Sequence, residues 1–151
     1  MKMSNRTRYG MRAMLDLAVN YGDGKPVPAR EIASRNRIPE NFLEQLIRIL
    51  KKEALVESIR GSQGGYVLGR KPAEIRVSEI INALEGPISL ADCLEVTTCR
   101  ESMSCPSRRL WSRIKDSIEK VTESTTLEDL VADDLSGKER EIETNDQTCV
   151  S

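Results

Sequence analysis

Histidine is absent from this 151-residue sequence, and none of its four cysteines forms a Cys-x-x-Cys pair. Without an imidazole the chain has no histidine to serve as a general base. No nucleophile–base pair accompanies its thiols either, so an enzyme is not expected. Compact zinc knuckles space their cysteines two to four residues apart, and that spacing is missing too. Aromatic residues make up 3%, so the core must be built from Leu, Ile, Val, Met and Ala. No apolar run approaches the length of a membrane span. The start, MKMSNRTRYGMRAMLDLAVNYGDG, mixes Arg and Asp into its apolar positions and offers no small-residue cleavage site. It is not read as a signal peptide, and a cytoplasmic location is expected. Clustered thiols in a reducing compartment suggest metal binding or redox chemistry more than structural disulfides.

What is present divides in two. The length suits one domain, or one domain plus an attached element. The net charge of −1 hides 14 Lys/Arg against 7 Asp/Glu in residues 1–72, a net of +7, and a net of −8 in residues 73–151. The first half looks like a surface for a polyanion; the second does not.

Across RYGMRAMLDLAVNYG, the polar residues Arg8, Arg12, Asp16 and Asn20 fall four apart with mostly apolar residues between them. That spacing predicts a helix with a narrow polar stripe, ended near Gly22 and Gly24. Pro26 and Pro28 hold the chain out of a helix until Ala29. AREIASRNRI then reads as a short helix with Ile32 and Ala33 inward. A third helix begins at Pro39, with Phe42, Leu43, Leu46, Ile49 and Leu50 at helical spacing. Its early Glu40 and Glu44 and late Lys51 and Lys52 match the helix dipole. Two short helices joined by a tight turn fit a helix-turn-helix.

LVESIRGSQGGYVLGR changes period and predicts a short β-hairpin with a flexible tip. GSQGG lacks a following Lys-Ser/Thr and opens no helix, so it is not read as a phosphate loop. Behind a helix-turn-helix, such a hairpin is a wing. VSEIINALEG is expected to be a helix capped by Ser78, ended by Gly86–Pro87. PSRRLWSRIKDSIEKV starts a long helix at Pro106 with Leu110, Ile114, Ile118 and Val121 on one stripe, which calls for a second copy of the chain to cover it. TTLEDLV adds a short helix with Thr125 and Glu128 as a capping box. From Ser136 the apolar periodicity is lost, and a disordered tail carrying Cys149 is expected.

Between these helices lie Cys93, Cys99 and Cys105, each separated by five residues. Thiolates are soft ligands for iron–sulphur clusters or zinc. Spacing alone leaves cluster, zinc, thiol redox chemistry and chance all open.

RYGMRAMLDLA, PVPAREIASRNRIPENFLEQLIRILKKEALVESIRGSQGGYVLGRKPAEIRVSEIINALEGPI and the three-cysteine segment together resemble bacterial winged-helix regulators of the IscR type, the iron–sulphur cluster regulator group. The resemblance covers roughly residues 5–132. It implies a mainly α fold with a small β-hairpin, a winged helix-turn-helix domain with a long dimerisation helix. It also implies a homodimer on partly palindromic double-stranded promoter DNA, without a membrane role. The implied DNA-binding positions are Pro39, Glu40, Asn41, Glu44 and Gln45 on the second helix of the pair, with Arg60, Ser62 and Gln63 in the wing. Glu44 could accept from a cytosine amino group or pair with Arg48 along the helix.

By the same resemblance Cys93, Cys99 and Cys105 hold an iron–sulphur cluster, 2Fe–2S first and 4Fe–4S as the alternative. The group's fourth ligand is a histidine three residues after the last cysteine, where this chain has Arg108. In nitric-oxide-sensing relatives it is an aspartate near the amino terminus, where this chain has Arg8. Remaining candidates are Cys149, Asp92, Glu95, Glu101, Asn5, Ser107, an external thiol or water. The implied organisation is a DNA-binding domain at 1–86, a cluster-binding loop at 87–106, a dimerisation helix and short terminal helix at 107–135, and a tail at 136–151. Regulation by redox state, iron–sulphur status or nitric oxide is then expected. The alternatives are cluster-independent control by a regulatory protein partner or thiol state, as in cysteine metabolism, and a small iron–sulphur electron carrier.

Overall fold

The computed structural model describes residues 2–94 and 104–135, apart from the Cys93 side chain. Cys99, Glu95, Glu101, Cys149 and the tail from Ser136 lie outside the described residues.

Helix α1 runs Asn5–Val19, α2 Ala29–Asn36 and α3 Glu40–Lys52. Ser4 caps α1, its hydroxyl accepting from the Thr7 amide at 3.3 Å. After Asn20 a single 3-10 turn, Tyr21–Asp23, closes at Gly24. The two prolines then hold the chain extended until α2 begins at Ala29, as their backbone restrictions require. Arg37 closes α2 in the left-handed region at φ 54° and turns the chain toward α3.

Three local expectations need correction. Pro39 does not open α3. It is the N-cap, and its extended ψ of 132° ends the turn before the helix starts at Glu40. The helix over 77–85, α4 (Val77–Glu85), is not capped by Ser78, its second residue. The chain enters at Arg76, whose amide donates to Glu79 at 2.9 Å. The terminal capping pair is shifted by one residue: Thr126 and Asp129 exchange hydrogen bonds, the Asp129 amide donating to Thr126 Oγ1 at 3.2 Å and the Thr126 amide to Asp129 Oδ2 at 2.9 Å. Thr125 instead ends the preceding helix, its hydroxyl donating to the Val121 carbonyl at 2.7 Å.

Strands β1 (Val56–Ile59) and β2 (Gly65–Leu68) pair antiparallel, with Val56 opposite Leu68 and Ser58 opposite Tyr66. Tyr66 also exchanges backbone hydrogen bonds with Val27 at 2.8 and 2.9 Å, which pins the hairpin to the segment before α2. At the tip Gly61 sits at φ 124°, where a side chain would be strained.

The core joins α1, α2, α3, β1 and α4 through Met14, Ile32, Leu43, Leu46, Leu50, Leu55, Ile75 and Ile80, all fully buried. Each such side chain contributes about 1.5–3 kcal/mol of burial. On α3 the inward set is Leu43, Leu46, Ile47 and Leu50, with Phe42 and Ile49 half-buried at its margins. Gly10 lets α1 approach α4 closely, because a Cβ there would strike the Leu84 side chain.

Helix α5, Pro106–Ser124, is about 28 Å long at 1.5 Å per residue. Thr122 is its one buried residue. The chain then returns to the domain. The Val77 amide donates to Thr125 at 2.9 Å and the Leu127 amide to Ile75 at 3.0 Å. Leu127 opens a last helix over 127–135 and is completely buried in the same core. Among the described residues, no helix is long and apolar enough to cross a membrane.

Candidate nucleic-acid interface and cysteine segment

The α3 residues that the core leaves outside are Asn41, Glu44, Gln45, Arg48 and Lys52, spaced three or four apart, so they share one exposed face. Pro39 and Glu40 are exposed at its start. Burial of the opposite face fixes that presentation: rotating α3 to hide Gln45 would bring Leu43, Leu46 and Leu50 into water. Arg60, Ser62 and Gln63 are exposed at the end of β1 and on the hairpin tip. The structure therefore places the helix set on one face and the wing set on one turn. Between the two, Lys51 Nζ donates to Ser58 Oγ at 2.9 Å, tying the end of α3 to β1. Among the described residues no ion pair joins Glu44 to Arg48.

One positioning residue is not evident from sequence. Asp16 reads as a member of a polar stripe, yet its side chain is only 7% exposed. It accepts from Arg35 Nη2 at 2.6 Å, Arg35 Nε at 3.0 Å and Asn36 Nδ2 at 2.8 Å. This carboxylate clamps the end of α2 against α1, immediately before the turn into α3. Its hydrogen bonds raise the Arg35 pKa above the ordinary guanidinium value. A second anchor lies at the other end of α1. There Glu85, the last residue of α4, accepts from the hydroxyls of Ser4 (2.6 Å) and Thr7. The Ser4 hydroxyl, then the Thr7 hydroxyl, hold its carboxyl below the usual range.

Past Gly86 the chain enters the cysteine segment. Cys93 lies on a short 3-10 turn, Asp92–Leu94, that packs against α5. Cys105 is half-buried, carries a free thiol and immediately precedes Pro106 at the start of α5. Arg108 and Arg109 follow within the first turn and, with Leu94 and Lys115, line a cleft of about 350 Å³. The donor types suit a soft metal, but among the described residues no group of three or more His, Cys, Asp or Glu side chains is arranged to hold one. Along the far side of α5, Leu110, Ile114, Ile118 and Val121 line an open groove of about 520 Å³, with Leu110 48% and Val121 63% exposed.

Residues 3–133 match the Rrf2 family, described as an iron-dependent transcriptional regulator. The chain is 45% identical over 132 residues to the HTH-type transcriptional regulator CymR of Bacillus subtilis, covering 87% of this chain and 91% of that protein. It is 35% identical over 152 residues to the regulator IscR of an Enterobacter species, covering 98% and 93%. Among solved structures, that of CymR, the global cysteine regulator of B. subtilis, superposes with a TM-score of 0.75 at 43% identity, covering 87% of this chain and 97% of that one. The IscR of T. potens superposes with a TM-score of 0.73 at 40% identity, covering 88% of each chain. With the helix-turn-helix, the hairpin and these likenesses together, the chain belongs to the Rrf2 family of DNA-binding transcriptional regulators.

Proposed function

We propose that the protein is a homodimer that reads a partly palindromic promoter, with residues 87–106 as its sensing element. The observation that carries this reading is the exposed apolar stripe of α5 attached to a complete winged-helix core. A second copy laid along Leu110, Ile114, Ile118 and Val121 would cover that stripe and hold two α3 helices at a fixed separation. Gln45 and Asn41 are then the base-reading side chains, and Arg60, Ser62 and Gln63 meet the backbone or minor groove. Pro39, Glu40 and Glu44 set what the start of α3 accepts. The test is binding of the full chain to duplex recovered by in vitro selection and to its scrambled counterpart, at stated salt. Equal affinity for both at every salt concentration would defeat sequence-specific reading.

Cys93, Cys99 and Cys105 are the residues that would hold an iron–sulphur cluster, which supplies redox-labile iron. The repeated spacing, the free half-buried thiol of Cys105 and the likeness to IscR support this. Their part is to join α4 to α5, so a change in their bonding acts on the connection between the DNA-reading core and the dimer helix. Anaerobic preparation should give protein whose iron and sulphide are lost with any one Cys→Ala change. In Cys149→Ala, an unchanged Mössbauer spectrum would exclude the tail thiol as a fourth ligand. Stoichiometric zinc without iron or sulphide would defeat the cluster.

A second reading rests on the 45% identity to CymR. On it, the protein regulates cysteine metabolism through thiol state or a partner protein. Metal-free protein with full DNA affinity would favour this reading.

A further inference from the structure

Arg48, Lys51 and Lys52 continue the exposed side of α3 beyond Gln45, and the helix dipole alone favours some positive charge at this end. Their arrangement goes further than that preference. The three cations, with Ile47, Tyr66 and the carboxylate of Glu44, line a groove of about 430 Å³ between α3 and the hairpin. Ser58 and Tyr66 are opposite one another in the β ladder, so their side chains share the hairpin face turned toward α3. Lys51 Nζ reaches across to Ser58 Oγ at 2.9 Å. Among the described residues, no ion pair reaches Arg48, Lys51 or Lys52. Three cations facing one carboxylate make a site that gains from an anion.

A helix lying in the major groove and a wing reaching the minor groove leave one sugar–phosphate strand running between them. We infer that this groove is a seat for a backbone phosphodiester. Lys51 and Arg48 are the charged donors, Lys52 adds to the field, and Ser58 holds the Lys51 ammonium toward the groove until phosphate replaces it. The inference rests on the reading that α3 and the hairpin face DNA. A phosphate contact carries no base information. The seat instead fixes how far along and how steeply α3 enters the duplex.

The test is a salt titration of the full chain on selected and scrambled duplex, comparing Lys51→Gln with Lys120→Gln, an exposed lysine of α5. Lys51→Gln should weaken both duplexes by a common factor, roughly tenfold for a lost charged contact. It should also reduce the slope of log K against log salt by about 0.9, one released counterion. Lys120→Gln should leave both unchanged. Lys51→Gln with unaltered affinity and slope, while Arg60→Ala still weakens binding, would overturn the seat and leave the DNA-facing reading intact. Indifference to both changes would remove that reading as well. Weakening confined to the selected duplex would make Lys51 a base contact and overturn the phosphate seat.

Discussion

Helices α3 and α5 are both amphipathic, but one of the two has its partner within the chain and the other does not. α3 buries Leu43, Leu46, Ile47 and Leu50 in 13 residues, whereas α5 buries Thr122 alone in 19. A helix whose apolar face is already covered is free to use its polar face for recognition. A helix whose apolar face stays open has its recognition surface there. The polar side of α3 is therefore the side to read for DNA contacts, and the apolar side of α5 the side to read for a second subunit.

The comparison breaks most severely in the core. Leu46→Ala should cost about 2–5 kcal/mol, since the side chain is 1% exposed and leaves a cavity. Leu127→Ala should cost a similar amount, because the last helix is part of the same core. Chemical denaturation measures both, and a loss below 1 kcal/mol at Leu127 would mean that the return of the chain after α5 contributes little. Ile118→Glu should leave denaturation almost unchanged. It should instead halve the mass seen by sedimentation equilibrium, since a carboxylate cannot be buried unpaired in an apolar seam. A dimer that survived this change would place the interface elsewhere.

Smaller effects sharpen the same contrast. Asp16→Ala should cost about 1–3 kcal/mol through lost hydrogen bonds to a charged group, with the half-exposed Arg35 keeping the loss toward the lower end. It should also lower DNA affinity, because α2 leads directly into α3. Thr126→Ala should cost about 1 kcal/mol as a lost helix cap. The smallest effect is that of pH. Glu85 has a folded pKa below its unfolded one, so its contribution is present above the ordinary carboxylate value and lost as pH falls through the folded one. The acid limb of melting temperature against pH should flatten in Glu85→Gln, and an unchanged limb would show that the hydroxyls of Ser4 and Thr7 do not hold that carboxylate in solution.

Much of the architecture was legible because its signals are local. Pro26 and Pro28 forbid helix, the α3 periodicity names three of its four buried residues, and the glycines around Gln63 mark the wing. The caps at Arg76 and Thr126 were misplaced by one or two residues, since Ser78, Thr125 and Thr126 all have capping chemistry. The clamp at Asp16 was illegible, because its donors Arg35 and Asn36 lie 19 and 20 residues away. The same holds for Lys51 and Ser58, which read separately as a dipole-matching lysine and a strand residue.

The sequence by itself determined the helix-turn-helix, the hairpin, the basic first half, the three evenly spaced thiols and the apolar stripe after Pro106. These follow from periodicity, backbone restriction and composition, which act over a few residues. Tertiary structure decided which polar residues became internal anchors, that Leu127 returns to the core, and that the α5 stripe remains uncovered. Those outcomes depend on which distant surfaces exclude water from one another, and local sequence pattern does not specify them.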